Sequence, residues 1–326
     1  MDLRDWLLGD DADPSIRWQT LRDLDDAPAD EVAAARARVA TEGWGGRLLA
    51  LQTPDGLWDG GVYNPSWHVH HHGPDDGDGY AAQPWTGTFH TLKLLTELGM
   101  PPEAAETQTA VARTRDQVHW EGDDAARLFF EGESEECVNA GVLFIGATYG
   151  QDVDQVAERL LADQQPDGGW NCDRARGSTR SSFHSTICVL EGLLAYEQAT
   201  GGTPETREAR LRGEEHLLER GLMRTRRTGE LIDPTFLEFS FPTRFFYDVL
   251  RALDHLRATG APPHPRTAEA LQLVRDKRHP DGTWALENSH PGEVAFPLEG
   301  PDGAPSRWNT LRALRVLCWA GDDVAL

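Results

Sequence analysis

Cysteine is scarce in this chain of 326 residues: Cys137, Cys172, Cys188 and Cys318 are the full set. Four are too few for a disulfide scaffold of this size, so a reduced protein with free thiols is expected. Basic residues are also under-represented, 31 against 54 acidic, for a formal charge of −23 and a pI near 4.8. Nucleic acid and anionic membrane surfaces call for a basic footprint, so neither is an expected partner. No apolar run approaches the 18 residues of a membrane span. The opening MDLRDWLLGDDADPS has no basic stretch followed by an apolar one, so no secretory signal is read and a cytoplasmic location is expected. Against these absences stand 39% hydrophobic residues, 11 Trp and 11 Phe, enough apolar surface for a large core.

The chain repeats itself. LLALQTPDGLW (48–58), LLADQQPDGGW (160–170) and LVRDKRHPDGTW (273–284) each close a helical pattern with Pro-Asp-Gly-x-Trp. Pro fixes φ at the turn, Asp bonds back to the local backbone, and Gly takes a positive φ. Trp then returns a large apolar face to the preceding helix. Between the turns recurs an aromatic residue, a polar one and an apolar helix, with polar onsets at Gln19, His90, Cys137, His184, Asp248 and Asn309. The helices that follow these onsets are apolar nearly all round, whereas the intervening ones are amphipathic and charged. Six hairpins of inner and outer helices predict an all-α fold, an α6/α6 toroid of helix hairpins in a single domain, 1–326. The similar stretches at Pro14–Arg22 and Pro305–Arg312 are expected to meet and close the ring. Residues 60–84 are long enough to form a lid.

Gln52, Asp55, Gly56 and Trp58, with Gln164, Asp167, Gly168 and Trp170, resemble the QW repeats of squalene cyclases and their relatives. In the third copy Arg278 replaces Gln. A second likeness lies at 135–196. Phe183-His184-Ser-Thr-Ile-Cys188 and Glu135-Glu136-Cys137 resemble the zinc-binding segments of protein farnesyl- and geranylgeranyltransferase β-subunits, with Glu in place of Asp. The resemblance implies Glu135, Cys137 and His184 as zinc ligands. Val138 stands where those enzymes have Tyr, and the acidic FFEGESEE (129–136) stands where they carry Arg and Lys for a diphosphate. A protein prenyltransferase is therefore disfavoured, and a relative with the metal and another substrate stays open.

The residues also make a chemical case. Thiolate, imidazole and carboxylate are ordinary zinc ligands, and three with an open fourth position describe a catalytic site. Cys172, between the two segments, is a substitute ligand. If the six onsets share one level of the ring, His90 and Asp248 become acid–base or further ligand candidates, and Asp173 an alternative proton donor. Helix caps are the plainer account of Asp and Asn. Arg174 and Arg180 are candidates to hold an anionic substrate group, with Trp170 and Tyr247 as cavity walls. Arg176, Arg224, Arg226 and Arg227 belong to the same two basic clusters, and surface ion pairing is their plainer account. The aromatic run from Phe236 to Tyr247 suits a cavity for a hydrophobic substrate, as it suits core packing. Asp23-Leu24-Asp25-Asp26 matches the acid motif of protonating cyclases as text, at a helix end. Asp75, Asp76 and Asp78, and the histidines His68, His70, His71 and His72, sit in the expected lid.

Three readings result. The first is a zinc-dependent enzyme of prenyltransferase- or terpene-cyclase-like transferase or lyase type, acting in the funnel on a hydrophobic substrate such as an isoprenoid. The second is metal-free, acid-initiated terpene cyclization, and the third a non-catalytic scaffold for a hydrophobic ligand or a peptide. No partner subunit can be read from the sequence.

Overall fold

The computed structural model describes residues 2–66 and 83–324. His68–His72, Asp75–Asp78 and most of the expected lid lie outside the described residues. The chain is helix-rich: α1 (Leu3–Leu8), α2 (Pro14–Asp23), α3 (Ala29–Ala37), α4 (Gly43–Leu49), α5 (Thr88–Leu98), α6 (Ala105–Gln117), α7 (Glu136–Thr148), α8 (Asp154–Ala162), α9 (Phe183–Thr200), α10 (Pro204–Leu218), α11 (Val249–Ala258), α12 (Ala268–Asp276) and α13 (Arg307–Trp319). Among the described residues the only strands are Trp284–Ala285 and Pro305–Ser306, paired antiparallel. Among the described residues no helix is long and apolar enough to cross a membrane.

Two kinds of helix alternate, as the patterning predicts. α8 buries a single stripe, Val156, Ala157 and Leu160, and α12 buries Ala270, Leu271 and Val274. Those spacings give one core-facing edge and a solvated remainder. α7 and α9 instead are buried on most sides. They also pack the most extensively on each other, and Gly192 shows why: a Cβ there would stand 2.6 Å from the Ala140 carbonyl oxygen. The mostly buried helices α2, α5, α7, α9, α11 and α13 follow one another in contact. α5 packs on α7, α7 on α9, α9 on α11, α11 on α13, and α13 returns to α2. The remaining junction is bonded, since the Trp18 indole N–H donates to the Leu98 carbonyl at 3.0 Å. The two similar stretches near the chain ends are therefore neighbours.

The three Pro-Asp-Gly-x-Trp turns are built alike. The indole N–H of Trp58, Trp170 and Trp284 donates to the carbonyl ten residues back, Leu48, Leu160 and Val274, at 2.7 Å each. Each Trp backbone N–H donates to a threonine hydroxyl on the next buried helix, Thr88, Thr186 or Thr310, at 3.0 Å. Gln52 and Gln164 tie their turns to the next outer helix through the Ala110 and Ala209 carbonyls. A Cβ at Gly168, where φ is 98°, would lie 2.7 Å from the Arg212 carbonyl of α10, so the turn abuts that helix. At the third turn the equivalent neighbour of Gly282 is Leu3 of α1. The first helix thus completes the outer layer where the last hairpin needs a partner.

Candidate functional site

The axis between the buried helices is charged at the end where α2, α5 and α11 finish. A cavity of about 340 Å³ there is lined by residues of all six, among them Glu97, Glu191, Arg251, Asp254, Arg312 and Arg315. The charges are mutually engaged. Arg251 grips Glu191 at 2.6 Å and 2.8 Å. Arg315 pairs with Asp254 and with Asp23, and Lys93 pairs with Glu97. Asp254 stays ionised far below the usual carboxylate range because Arg315 and Arg257 outweigh its burial. Asp23 belongs to this network, and Asp25 pairs with Arg4, so the Asp23–Asp26 text match is structural pairing.

The six polar onsets do not share one level. Gln19 lies in the second turn of α2 and donates to the Glu97 carbonyl at the far end of α5. Asn309 ties down the Phe239 and Ala285 carbonyls. Asp248 caps α11, accepting from the Arg251 N–H at 2.6 Å and from the Ser240 N–H and hydroxyl at 3.5 Å and 3.3 Å. Burial raises its pKa, but its oxygens are spent on the cap. The expected ring of polar groups is replaced by separate local bonds.

His184 accepts the Tyr247 backbone N–H at Nδ1, 2.8 Å away, with its ring edge-on to Phe236 and Phe246. Burial lowers its pKa. The neutral ring then carries its proton on Nε2 and has no lone pair left for a metal. His90 is enclosed by Tyr63, Trp85 and Phe89 at ring-centroid distances of 4.7, 5.0 and 5.2 Å. Its Nε2 is buried without a hydrogen-bond partner among the described residues, and desolvation holds its pKa well below the usual imidazole value.

The thiols do converge. One ligand atom each from Glu135, Cys137 and Cys172 lie within 4.8 Å of one another. The fold explains the meeting: Glu135 is the N-cap of α7, Cys137 lies in its first turn, and Cys172 follows the Trp170 turn that is bolted to α9. The Cys172 sulfur accepts the Cys137 N–H at 3.2 Å and the Ser185 hydroxyl at 3.3 Å. Hydrogen bonding from Cys137 and Ser185 outweighs burial and pulls the Cys172 thiol down, while the Cys137 thiol, which keeps the shared proton, is pushed up. A thiolate at a helix N-terminus is favoured on the same grounds. Burial raises the nearby Glu135 carboxyl. Two sulfurs and a carboxylate are a zinc-type donor set.

The remaining candidates have other work. Trp170 is fully buried as the brace of its turn, with no face left for a substrate. Tyr247 is buried too, its hydroxyl donating to the Leu222 carbonyl at 2.6 Å. Arg174 is held by Glu136 and Asp163 at 2.6 Å each. Asp173 is exposed and pairs with Arg176. Arg180 is exposed, its carbonyl accepting from Asn171. Arg224 and Arg226 pair with Glu269 and Glu219. Sequence reading gave no role to Ser185, whose hydroxyl supports the thiolate, nor to Arg244 and His290, which line a second cavity of about 310 Å³. Nothing in their local sequence marks them, because their partners come from distant segments.

No family model and no curated protein matches this chain. Solved structures resemble it. An ent-copalyl diphosphate synthase from Streptomyces platensis is 16% identical with a TM-score of 0.44, over 98% of this chain and 50% of that one. A type II terpene cyclase from Scytonema, solved with geranylgeranyl dihydroxybenzoate, is 16% identical with a TM-score of 0.39, over 94% and 85%. This chain thus spans half the length of the synthase.

Proposed function

We propose that the six hairpins close an α6/α6 toroid and that the chain is a metal-dependent enzyme, with zinc held by Glu135, Cys137 and Cys172. The convergence of those three ligand atoms within 4.8 Å carries this reading. The donor set fits the metal: Ser185 and the Cys137 amide already support a thiolate on Cys172, and three protein ligands leave a fourth position for substrate. Zinc there would supply Lewis acidity or a stabilised thiolate nucleophile. The chain's own residues do the positioning. The α7 N-terminus orients both sulfurs, and Tyr63, which packs on Phe89 and His90, is close enough to the cluster for Cys137, Glu135 and Cys172 to raise its hydroxyl. Aromatic side chains beside the cluster would meet a hydrophobic, isoprenoid-like substrate better than the charged axis would.

Metal analysis of untagged protein tests the reading. About one equivalent of zinc is expected in the wild type, lost in both Cys137→Ala and Cys172→Ala. Less than about a tenth of an equivalent, or zinc that persists in both variants, refutes it. His184→Ala, outside the ligand set, should keep its metal. A second reading, a non-catalytic binding scaffold, is favoured by the backbone bonds that occupy Gln19, His184, Asp248 and Asn309. It predicts a protein that binds a hydrophobic ligand equally well with and without metal.

A further inference from the structure

Arg244 is buried, 9% exposed, and no hydrogen bond or ion pair joins it to another described residue, although the charge of Glu97 acts on it from beyond bonding distance. In this acidic chain that is an exception. The buried Arg210 and Arg251 and the half-buried Arg315 each grip a carboxylate at hydrogen-bonding distance, and the buried Arg312 donates to the Ser240 carbonyl and stands 3.8 Å from Asp248 and Asp254. The Arg244 guanidinium lies 5.0 Å from the centre of the Trp85 ring. That contact accounts for one of its faces and leaves its fork of donors unspent. Its backbone is left-handed, with φ 55°, a conformation uncommon outside glycine. Burying an unpaired cation on a strained backbone is costly, and such costs persist where the group has a use.

The guanidinium lines the cavity of about 310 Å³ beneath the segment 286–300, at the lower end of the size of small-molecule sites. Its walls are fixed before any ligand arrives. The Trp85 N–H and indole N–H donate to the Glu293 and Pro291 carbonyls at 2.8 Å each. Glu287 and Phe239 exchange bonds, the Glu287 N–H reaching the Phe239 carbonyl and the Phe239 N–H the Glu287 carboxylate. Leu94, Phe241, Phe296 and Leu298 give the cavity an apolar body.

The other polar groups set the charge that it accepts. His290 stacks on Phe246 at 4.1 Å and meets the Ser240 hydroxyl through Nε2 at 3.1 Å. With Ser240 donating onward to Asp248, Nε2 carries the proton and Nδ1 is the free acceptor. Burial, Arg244 and Arg251 push His290 down to about 3, so it adds no positive charge at neutral pH. Burial lowers Arg244 only to about 10, so it remains charged. Glu299 also lines the cavity; burial raises its pKa, and its oxygens are taken by the Ser306 hydroxyl at 2.5 Å and the Trp308 N–H at 3.1 Å, so it faces the cavity as a spent acceptor. Among the described residues the cavity thus holds one guanidinium without a bonded carboxylate, one buried carboxyl held by neutral donors, and apolar walls.

We propose that this chamber binds an organic anion, a single carboxylate or phosphate-ester head on an apolar body, with Arg244 gripping the head and Trp85, Phe241 and Phe296 packing the body. A guanidinium takes either head through paired N–H donors. None of the lining residues belongs to the thiol–carboxylate cluster, so a zinc-free protein leaves the proposal standing.

Calorimetric titration of the full chain with octanoate, octyl phosphate and octanol tests it. At least one anion should bind on the order of tenfold or more tighter than octanol, and Arg244→Met should abolish that preference. Whichever anion binds tighter names the head. Because no described residue pairs with the arginine, Arg244→Met should also melt no lower than wild type, and a few degrees higher. Ala295→Trp, on the exposed rim of the cavity, should block anion binding with Arg244 intact. Three results overturn the proposal: no anion preference in the wild type, a preference that survives Arg244→Met, or a lower melting temperature for Arg244→Met, which would make the arginine structural.

Discussion

Thr186→Val is the most economical probe of the fold's repeated joint. Thr186 and Trp170 are both fully buried, and the Trp170 N–H donates to the Thr186 hydroxyl at 3.0 Å. Valine has nearly the shape of threonine, so the change removes the acceptor and strands an amide in the core. A stranded buried donor costs about 1–3 kcal/mol. Taking about 2 kcal/mol, the folding constant drops roughly 30-fold, and the melting temperature falls by roughly 3 °C in a chain of this size. Thr310 plays the same part for Trp284, so Thr310→Val should match it. Thr88 accepts from Trp58 and also donates to the Gly61 carbonyl at 2.8 Å, a shorter bond than the 3.4 Å one from Thr186 to the Trp170 carbonyl, so Thr88→Val should cost most. Thr20 is the control: equally buried, it only donates to the Ile16 carbonyl within its own helix, and Thr20→Val strands no amide. Urea unfolding followed by circular dichroism ranks the four variants. If Thr186→Val and Thr310→Val prove no costlier than Thr20→Val, the threonine joint does not hold the turns to the helices.

Two further outcomes follow from the same geometry. His290 is depressed to about 3, so the unfolded chain binds its proton first, and its contribution to stability is lost as pH falls through 6.5 towards 3. Between pH 7 and 5 this costs about 2 kcal/mol; His290→Gln should therefore lose that much less than wild type, and equal pH dependence of their melting temperatures contradicts the assignment. Gln164 bridges the Gly168 and Ala209 carbonyls at 2.7 Å each, whereas among the described residues Arg278 in the third repeat makes one hydrogen bond, to Gly282 at 3.4 Å, and lies 5.6 Å from the centre of the Trp284 ring. Gln164→Ala should destabilise by about 1–2 kcal/mol and Arg278→Ala by less than about 0.5 kcal/mol, and the reverse order in urea unfolding would break the proposed equivalence.

The turns were legible because their chemistry is local. Proline, glycine and tryptophan at fixed spacing do the same thing three times, and the alternation of apolar and charged helices follows from the same reading. The level of the polar onsets was not legible. The residues that correspond in space are Thr88, Thr186 and Thr310, which answer Trp58, Trp170 and Trp284 across 30, 16 and 26 residues. Thr88 precedes its aromatic residue, whereas Thr186 and Thr310 follow theirs, so the aromatic-polar frame slips between copies. Cys172 joined Cys137 because it rides on one of these turns. His184 did not, because a backbone amide from the loop before α11 reached its Nδ1 first. Arg244 stood in plain view inside an aromatic run, but whether an arginine finds a carboxylate depends on neighbours that only folding supplies.

The paired charges between the ends of the buried helices have a consequence for how the ring can open. Arg315 ties α2 to α11, and Arg251 ties α11 to α9. Drawing any one of these helices aside leaves a charge in the interior without its counter-ion, which costs several kcal/mol. This end of the molecule therefore resists piecemeal loosening, and its helices are expected to part together or not at all.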